Sequence, residues 1–197
     1  MVPLNVPAVI ETDTVRLRPF RDGDAQALFA VLLGDPAVTA WLPMRTHANL
    51  AETRAFIAQC EADWRSARRY TWALEDAASR ALLAAIELRP ELPRAEIGVV
   101  ISRLDGHRRR RASLAALLKL LRWLLVQPGL YRIHAYCAPE GAAASTLPRL
   151  GFAFEGRLGN WEPRPNQGLP AADALLFSIT RDVAATAAPP LHRLAGA

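Results

Sequence analysis

Apolar and polar residues alternate in several short stretches of the chain, the pattern of strands whose two faces meet different surroundings. The strands predicted in this way span residues 14–20, 70–74, 82–88, 95–102, 131–137, 152–158 and 175–180. The first reads as a half-buried edge strand, and Asp76-Ala77-Ala78-Ser79 predicts a hairpin turn between the second and third. Residues 95–102 are nearly all apolar, so we expect this strand at the sheet centre, buried on both faces.

Apolar residues at helical spacing fill the intervals between these strands. Helices are predicted from the cap at Asp22-Gly23-Asp24 to Pro36, from Asn49 through Trp64, over Ala112–Val126, and over 140–150, where Pro148 weakens the end. Residues 103–111 read as a loop, and a long loop rich in Pro, Gly and Asn joins the last two strands. This order predicts an α/β fold with antiparallel parts and one central strand–loop–helix unit.

Composition bounds the class of protein. The chain has 197 residues, is 51% hydrophobic and 22% charged, and so fits one globular domain, over 1–182, with an Ala/Pro-rich tail over 183–197 that we expect to fray. Its two cysteines cannot form a disulfide framework, and its four histidines lack metal-ligand spacing, so we expect reduced thiols, no metal and a cytoplasmic protein. Residues 1–10 do not read as a signal peptide, and residues 112–126 are too short to span a bilayer, so we expect no membrane partner.

Arginine dominates the charge. The net charge is +5, and of the 24 basic residues only Lys119 is a lysine. Arg108-Arg109-Arg110-Arg111 is the one dense cluster, directly before the strongest predicted helix, where free amides and the helix dipole bind phosphate. Neither a Walker P-loop nor a Rossmann fingerprint surrounds it. A phosphorylated cofactor, a bias of composition and nucleic acid are the open explanations, and the lack of interleaved aromatic residues disfavours nucleic acid.

Several segments, in order, resemble the GNAT N-acetyltransferases, especially the RimJ/RimL-like branch that acetylates protein N-termini. The matching segments are 11–25, 94–102, Pro139-Glu140, Leu150-Gly151-Phe152 with Glu155-Gly156, and 173–178. The resemblance implies a GNAT fold: a mixed, mostly antiparallel sheet flanked by helices, in which a bulge splays the strands apart at the central one. It also implies acetyl-CoA as cofactor and a primary amine as acceptor.

By the same resemblance, the backbone of Val100, Ile101 and Ser102 lies beside the pantetheine arm of the cofactor. The pyrophosphate loop aligns with His107, Arg108, Arg109, Arg110, Arg111 and Ala112, and Ser113 follows. Arg110 stands where the family uses a glycine that lets backbone approach phosphate closely. Three alternatives stay open: Arg110 points outward, the guanidinium groups bind the phosphates instead, or the cofactor site is impaired.

Aminolysis of a thioester needs a proton acceptor, an oxyanion donor and a proton donor for the thiolate. Glu96, at the start of the central strand, is the candidate base through water; a salt bridge to Arg94 or another arginine is the alternative. A central-strand amide, such as that of Val100, is the candidate oxyanion donor. Ser145 is the candidate proton donor, although Gly141 replaces the family's asparagine nearby and Leu147 stands where many members have tyrosine.

The remaining polar and aromatic residues carry weaker signals. His134 alternates with Arg132 along a strand and reads as structural. Trp41 and Trp161 either line the mouth of an acceptor site or pack against the core.

The sequence therefore predicts an acetyl-CoA-dependent N-acetyltransferase that acts by direct attack in a ternary complex. A protein N-terminus, a polyamine and a small antibiotic-like amine are open as acceptors, and a homodimer is open as the assembly. The alternative is a GNAT-fold binding or regulatory protein that has lost catalysis through its altered loop.

Overall fold

The protein is built on one sheet of eight strands. In the computed structural model, residues 4, 6–103 and 107–181 are described, with the backbone alone over 107–112. The strands are β1 Ile10–Glu11, β2 Val15–Pro19, β3 Tyr70–Asp76, β4 Leu82–Glu91, β5 Arg94–Ile101, β6 Arg132–Cys137, β7 Ala153–Arg164 and β8 Leu169–Thr180. Their order is β1-β2-β3-β4-β5-β6-β8-β7, and every neighbouring pair is antiparallel except β5–β6. The predicted mixed, mostly antiparallel sheet is confirmed.

Five α-helices connect the strands in the described part of the chain. They are α1 Ala25–Leu28, α2 Pro36–Thr39, α3 Leu50–Arg65, α4 His107–Leu125 and α5 Ala143–Thr146. Asn49 caps α3 as predicted, since its side chain accepts a hydrogen bond from the Glu52 amide at 3.1 Å. Pro36 does not simply close the first helix, because it begins α2 behind the Asp35 cap. None of the described helices is long and apolar enough to cross a membrane.

The helices cover the sheet from both sides and leave part of one face open. Leucines of α4, such as Leu120 and Leu124, are fully buried against one face, which includes Trp72 and Ile86. A second cluster, from α1, the turns that follow it and α3, packs on the small residues of the opposite face, such as Ala73. Beyond that cluster, on the same face, the β4–β6 region carries charged side chains and is covered by none of the described helices. The apolar cores therefore fix the sheet and expose a polar surface at its centre.

Two expectations about the strands are wrong. The strand over 14–20 is not an edge strand, because β1 pairs with it outside the predicted pattern. The segment 95–102 is central, as predicted, yet it is not buried on both faces. Ala95 and Ile97 lie under α4, whereas Glu96 and Gly98 face the open side. A run of apolar residues cannot distinguish a strand covered twice from one covered once.

The longest helix begins earlier than the sequence predicts. Residues 107–111 read as the end of a loop, but α4 already begins at His107. Arginine has a high helix propensity, and no glycine or proline interrupts 107–112, so nothing in the segment opposes helix formation. The arginine cluster therefore occupies the first turns of α4.

The end of the chain forms a long hairpin where a loop was expected. The strands β7 and β8 have 12 residues each, and only the turn around Pro165–Gln167 separates them. Three register shifts in the β7–β8 pairing accommodate the irregular sequence that suggested a loop. The outer half of this hairpin, residues 159–172, is called the arm below.

Candidate active site

The sheet splits between its two parallel strands. The strands β5 and β6 pair only over Arg94–Glu96 and Arg132–His134. Beyond these residues β5 continues to Ile101 and β6 to Cys137, each still paired with its other neighbour. The β4–β5 pairing runs without a register shift, so the separation comes from the divergence of β6 and no bulge in the β4–β5 pairing accompanies it. The result is a gap lined by backbone groups.

The direction of the peptide groups decides which amides of β5 face this gap. The Ser102 amide donates to the Leu83 carbonyl at 2.8 Å and therefore points toward β4. Because peptide groups alternate in direction along a strand, the amide of Val100 also points toward β4. The amides of Val99 and Ile101 point the other way, into the gap. The alternation favours these two amides over that of Val100 as donors to a bound group.

A row of polar side chains crosses the open face where the strands begin to separate. Arg89 on β4 pairs in register with Glu96, Glu96 with His134 on β6, and His134 with Ser178 on β8. Residues in register on neighbouring strands lie on the same face, about 4.8 Å apart in the pairing direction. A guanidinium, a carboxylate, an imidazole and a hydroxyl thus lie side by side at the point where the gap opens.

Glu96 is half-buried, with about a third of its side chain exposed. Its Oε1 lies 3.2 Å from Nη1 of Arg89, whereas Arg94 bonds to Glu91 at 2.7 Å. Burial raises the pKa of Glu96 above its usual value, and the cation of Arg89 only partly opposes this. The salt bridge that the sequence left open is present with Arg89, and the carboxylate is also a better proton acceptor than an exposed one.

An aromatic cluster continues this face along β6. The His134 ring lies 5.3 Å from that of Tyr136, which lies 5.1 Å from that of Trp161. Burial and the nearby Glu96 carboxylate raise the pKa of Tyr136. Sequence reasoning missed Tyr136, although the alternation of Arg132, His134 and Tyr136 is the signal that would have placed it on this face.

Ser145 lies in α5, in the segment that connects β6 to β7. It is exposed in α5, and its hydroxyl donates to the Ala142 carbonyl at 3.1 Å. A Cβ at Gly141, where the family has asparagine, would lie 3.2 Å from the Ala138 carbonyl oxygen. The turn at Gly141 is therefore tight, and Ser145 would have to leave its local bond to reach another group.

The predicted phosphate-binding residues stand at the beginning of α4. The backbone of His107, Arg108, Arg109, Arg110, Arg111 and Ala112 is helical, and their side chains lie outside the described residues. Ser113, one residue further, is buried. The first amides of a helix have no partners within it, so this position retains the chemistry expected of a phosphate site.

The arm bends over the loop that follows α2. Asn166 donates to the carbonyls of Thr39 and Met44, both at 2.8 Å.

Trp41 and Trp161 are 40% and 50% exposed, so neither is part of the core. Among the described residues, no three His, Cys, Asp or Glu side chains gather as a metal site would require.

Comparisons with known proteins agree with this geometry. Residues 14–153 match the sequence profile of the acetyltransferase (GNAT) domain. The chain is 28% identical over 154 residues to the uncharacterized N-acetyltransferase YoaA of Bacillus subtilis (strain 168), covering 76% of this chain and 85% of that protein.

Two solved structures have the same fold. Mycobacterium smegmatis RimJ, in complex with CoA-disulfide, superposes with a TM-score of 0.72 at 23% identity, covering 94% of this chain and 92% of that one. The ribosomal-protein-S5-alanine acetyltransferase of Vibrio fischeri gives 0.72 at 17%, covering 90% and 98%. With the split sheet and the profile match across most of its length, the chain belongs to the GNAT family of acetyltransferases.

Proposed function

We propose that this protein transfers an acetyl group from acetyl-CoA to a primary amine that approaches over the open face of the sheet. The observation that carries the proposal is the gap between β5 and β6, which opens beside Glu96 and leaves the edge of β5 that faces β6 unpaired. An extended polar ligand can add its own hydrogen bonds to such an edge, much as a further strand would.

The residues of the gap fit the parts of acetyl-CoA. The amides of Val99 and Ile101 face the position that the extended pantetheine group would occupy. Ile101 and Ser102 lie at the end of β5 from which the chain continues to α4. The beginning of α4 offers free amides, and residues 108–111 offer guanidinium groups, for the pyrophosphate and the 3′-phosphate. When bound, acetyl-CoA supplies an acetyl group activated as a thioester.

The side chains on the open face supply the proton chemistry. A primary amine is an ammonium ion at neutral pH and must lose a proton before it can attack. Glu96 attracts the ammonium and accepts its proton through a water molecule, which its raised pKa favours. The amides of Val99 and Ile101 donate to the developing oxyanion, and Ser145 donates a proton to the thiolate.

The arm and the loop after α2 border the acceptor side. Their exposed tryptophans, Trp41 and Trp161, offer apolar surface for the group that carries the amine. A protein N-terminus is the acceptor best supported by the fold, since one structural neighbour is a ribosomal-protein-S5-alanine acetyltransferase. A small amine stays the alternative acceptor.

Two measurements on the purified chain test the proposal. Calorimetric titration with acetyl-CoA should give micromolar binding, and thiol release should follow with at least one acceptor among peptides beginning with Ala or Ser, a polyamine and an amine antibiotic. Absence of acetyl-CoA binding would support a GNAT-fold protein that has lost catalysis. RNA binding with a steep salt dependence and no CoA binding would support the nucleic-acid alternative.

A further inference from the structure

His134 sits at the last paired position before the sheet splits. It pairs in register with Glu96, which is the last residue of β5 that pairs with β6. The two side chains therefore lie on the same face, next to each other, at the mouth of the gap. An amine bound at Glu96 would therefore lie next to the His134 position, one strand spacing or about 4.8 Å away in the pairing direction.

The imidazole is buried, and its hydrogen bonding is incomplete. His134 is 7% exposed, and its Nδ1 has no hydrogen-bond partner. Buried polar atoms are nearly always paired, because an unpaired one costs free energy. A purely structural histidine would be expected to use both ring nitrogens, so the free Nδ1 indicates a further role.

The surroundings favour the neutral form of the ring. Burial lowers the pKa of His134, and the guanidinium groups of Arg132 and Arg94 lower it further. Ser178 on β8 is the uncharged neighbour on the other side. The titratable and charged groups that face the ring from the elements around it are Glu91, Arg94, Glu96, Arg132, Tyr136 and Glu155.

We propose that His134 is the second proton acceptor of the transfer reaction and takes over the proton that Glu96 removes from the acceptor ammonium. This inference rests on the proposed function. The ammonium loses one proton through water to the Glu96 carboxylate, and the neutral imidazole then accepts it and becomes imidazolium. Glu96 returns to its anionic form, paired with Arg89, and the imidazolium releases the proton to solvent after the product leaves.

The structure favours a mechanism that uses both Glu96 and His134 over one that uses either residue alone. The Glu96 carboxylate carries the negative charge that attracts an ammonium ion and is held in place by Arg89, whereas the neutral imidazole of His134 offers a ring nitrogen that is free to accept a proton. His134 alone is nearly buried and carries no charge to attract an ammonium. Glu96 and His134 are not ion-paired with each other among the described contacts, so both stay available.

The dependence of kcat/KM on pH tests the inference. In the wild-type protein two groups must be deprotonated, so log kcat/KM should fall toward low pH with a slope approaching two. His134→Gln should lower kcat at least about tenfold, reduce this slope to one and leave the affinity for acetyl-CoA nearly unchanged. A variant that keeps wild-type kcat and the slope of two would overturn the inference.

His47→Gln is the matched control. His47 also has a pKa lowered by burial, but its Nδ1 lies 2.9 Å from the Thr53 hydroxyl and the ring packs against Phe56. Because His47 lies in the loop after α2, which borders the acceptor side, only the pH slope is compared, and the variant should keep the wild-type slope. A chain that binds acetyl-CoA but transfers to no amine refutes the proposed function, and an active chain indifferent to His134→Gln refutes this inference alone.

Nuclear magnetic resonance of the wild-type protein gives a readout that needs neither turnover nor a variant. Labelled histidine should show the His134 ring neutral at pH 7 and protonating below the usual histidine range while the fold persists. A ring that stays neutral until the protein unfolds cannot accept the proton, and this result would overturn the inference even if His134→Gln failed to fold.

Discussion

The side chain of Asn166 holds the backbone of Thr46, 120 residues earlier in the chain: its Oδ1 accepts a hydrogen bond from the Thr46 amide at 2.9 Å. The same oxygen lies 3.2 Å from the Thr46 hydroxyl, and the Nδ2 of Asn166 donates to the carbonyls of Thr39, at the end of α2, and of Met44 in the loop that follows. One amide side chain thus fastens the arm to the loop that follows α2. Two surfaces that border the proposed acceptor site are held together at this point.

Asn166→Ala should therefore release the arm from the loop. It removes the hydrogen bonds of Asn166 to the Thr46 amide, the Met44 carbonyl and the Thr39 carbonyl, of which the last keeps its bond from the Leu42 amide. Each hydrogen bond is worth about 0.5–1.5 kcal/mol. Hydrogen exchange at Thr46 should become faster, and the KM for the acceptor should rise while acetyl-CoA affinity is unchanged. Gln167→Ala, which removes a single 3.2 Å bond to the Ala40 carbonyl, is the control and should change little.

Glu155 should contribute to stability in a manner that depends on pH. Hydrogen bonds from Arg132 and then Ser178 lower its pKa from 4.5 to about 2. A group with a lowered pKa in the folded state stabilises above its unfolded value, and this contribution is lost as the pH falls from about 4.5 toward 2. The pair is partly exposed and screened, so we expect about 1 kcal/mol at neutral pH.

Urea unfolding of the wild type and Glu155→Gln at several pH values measures this contribution. The two free energies of unfolding should differ at pH 7 and converge as the pH approaches 2. Glu61→Gln, which changes an exposed carboxylate on α3, should show a much smaller difference at pH 7. A Glu155→Gln difference that persists undiminished at the lowest pH would contradict the assigned cause.

Local patterns predicted much of this fold because local physics decides it. Alternation located the hairpin of β3 and β4, and the Asn49 cap marked the start of α3. The arm was missed because its prolines and glycines suggest a loop. Its strand structure depends on pairing between β7 and β8 and on the anchor at Asn166, and neither is visible in a local window.

The candidate site was predictable only in part for the same reason. Glu96 could be placed on the central strand from the sequence. Its neighbours Arg89 and His134 depend on the register of three strands, one of which returns only after the long helix α4. Sequence pattern alone reads His134 as structural, because nothing along the chain shows that it lies beside Glu96.

The arginines at the beginning of α4 should bind the phosphates of CoA. Arg108→Ala and Arg110→Ala should each weaken acetyl-CoA binding about tenfold or more, since a charge-assisted contact is worth roughly 1.5–3 kcal/mol. Arg122→Ala, an exposed change in the last turn of the same helix, is the matched control.

Calorimetry with acetyl-CoA and with dephospho-CoA separates the two phosphate positions. If an arginine binds the 3′-phosphate, its replacement by alanine should weaken the binding of acetyl-CoA and leave the binding of dephospho-CoA unchanged. Added salt should weaken wild-type binding. A double alanine variant that binds like the wild type would show that the helix amides suffice.

Glu96→Gln should lower kcat by roughly 10²-fold while acetyl-CoA affinity stays nearly unchanged, because it removes the proton acceptor and keeps the shape. Arg89→Met is the matched variant, since it breaks the same 3.2 Å salt bridge but leaves the carboxylate. Arg89→Met also breaks the bond of Arg89 to Glu87, so stability is measured for each variant separately. If Glu96 serves only its salt bridge with Arg89, the two variants should lose activity alike. Steady-state kinetics and thermal unfolding of both variants distinguish the cases.

The amides of Val99 and Ile101 can be tested through proline, which removes a single N–H. Ile101→Pro should keep the β4–β5 ladder, because the Ile101 amide faces the gap, and should lower kcat about 10²-fold if this amide supports the oxyanion. Val100→Pro removes an amide that faces β4 and should destabilise the fold instead. Ile101→Pro should therefore lose kcat and keep its unfolding temperature, whereas Val100→Pro should have a lower unfolding temperature. Reversed patterns would mean that the amide of Val100 faces the gap and that β5 is bulged where it now pairs regularly with β4.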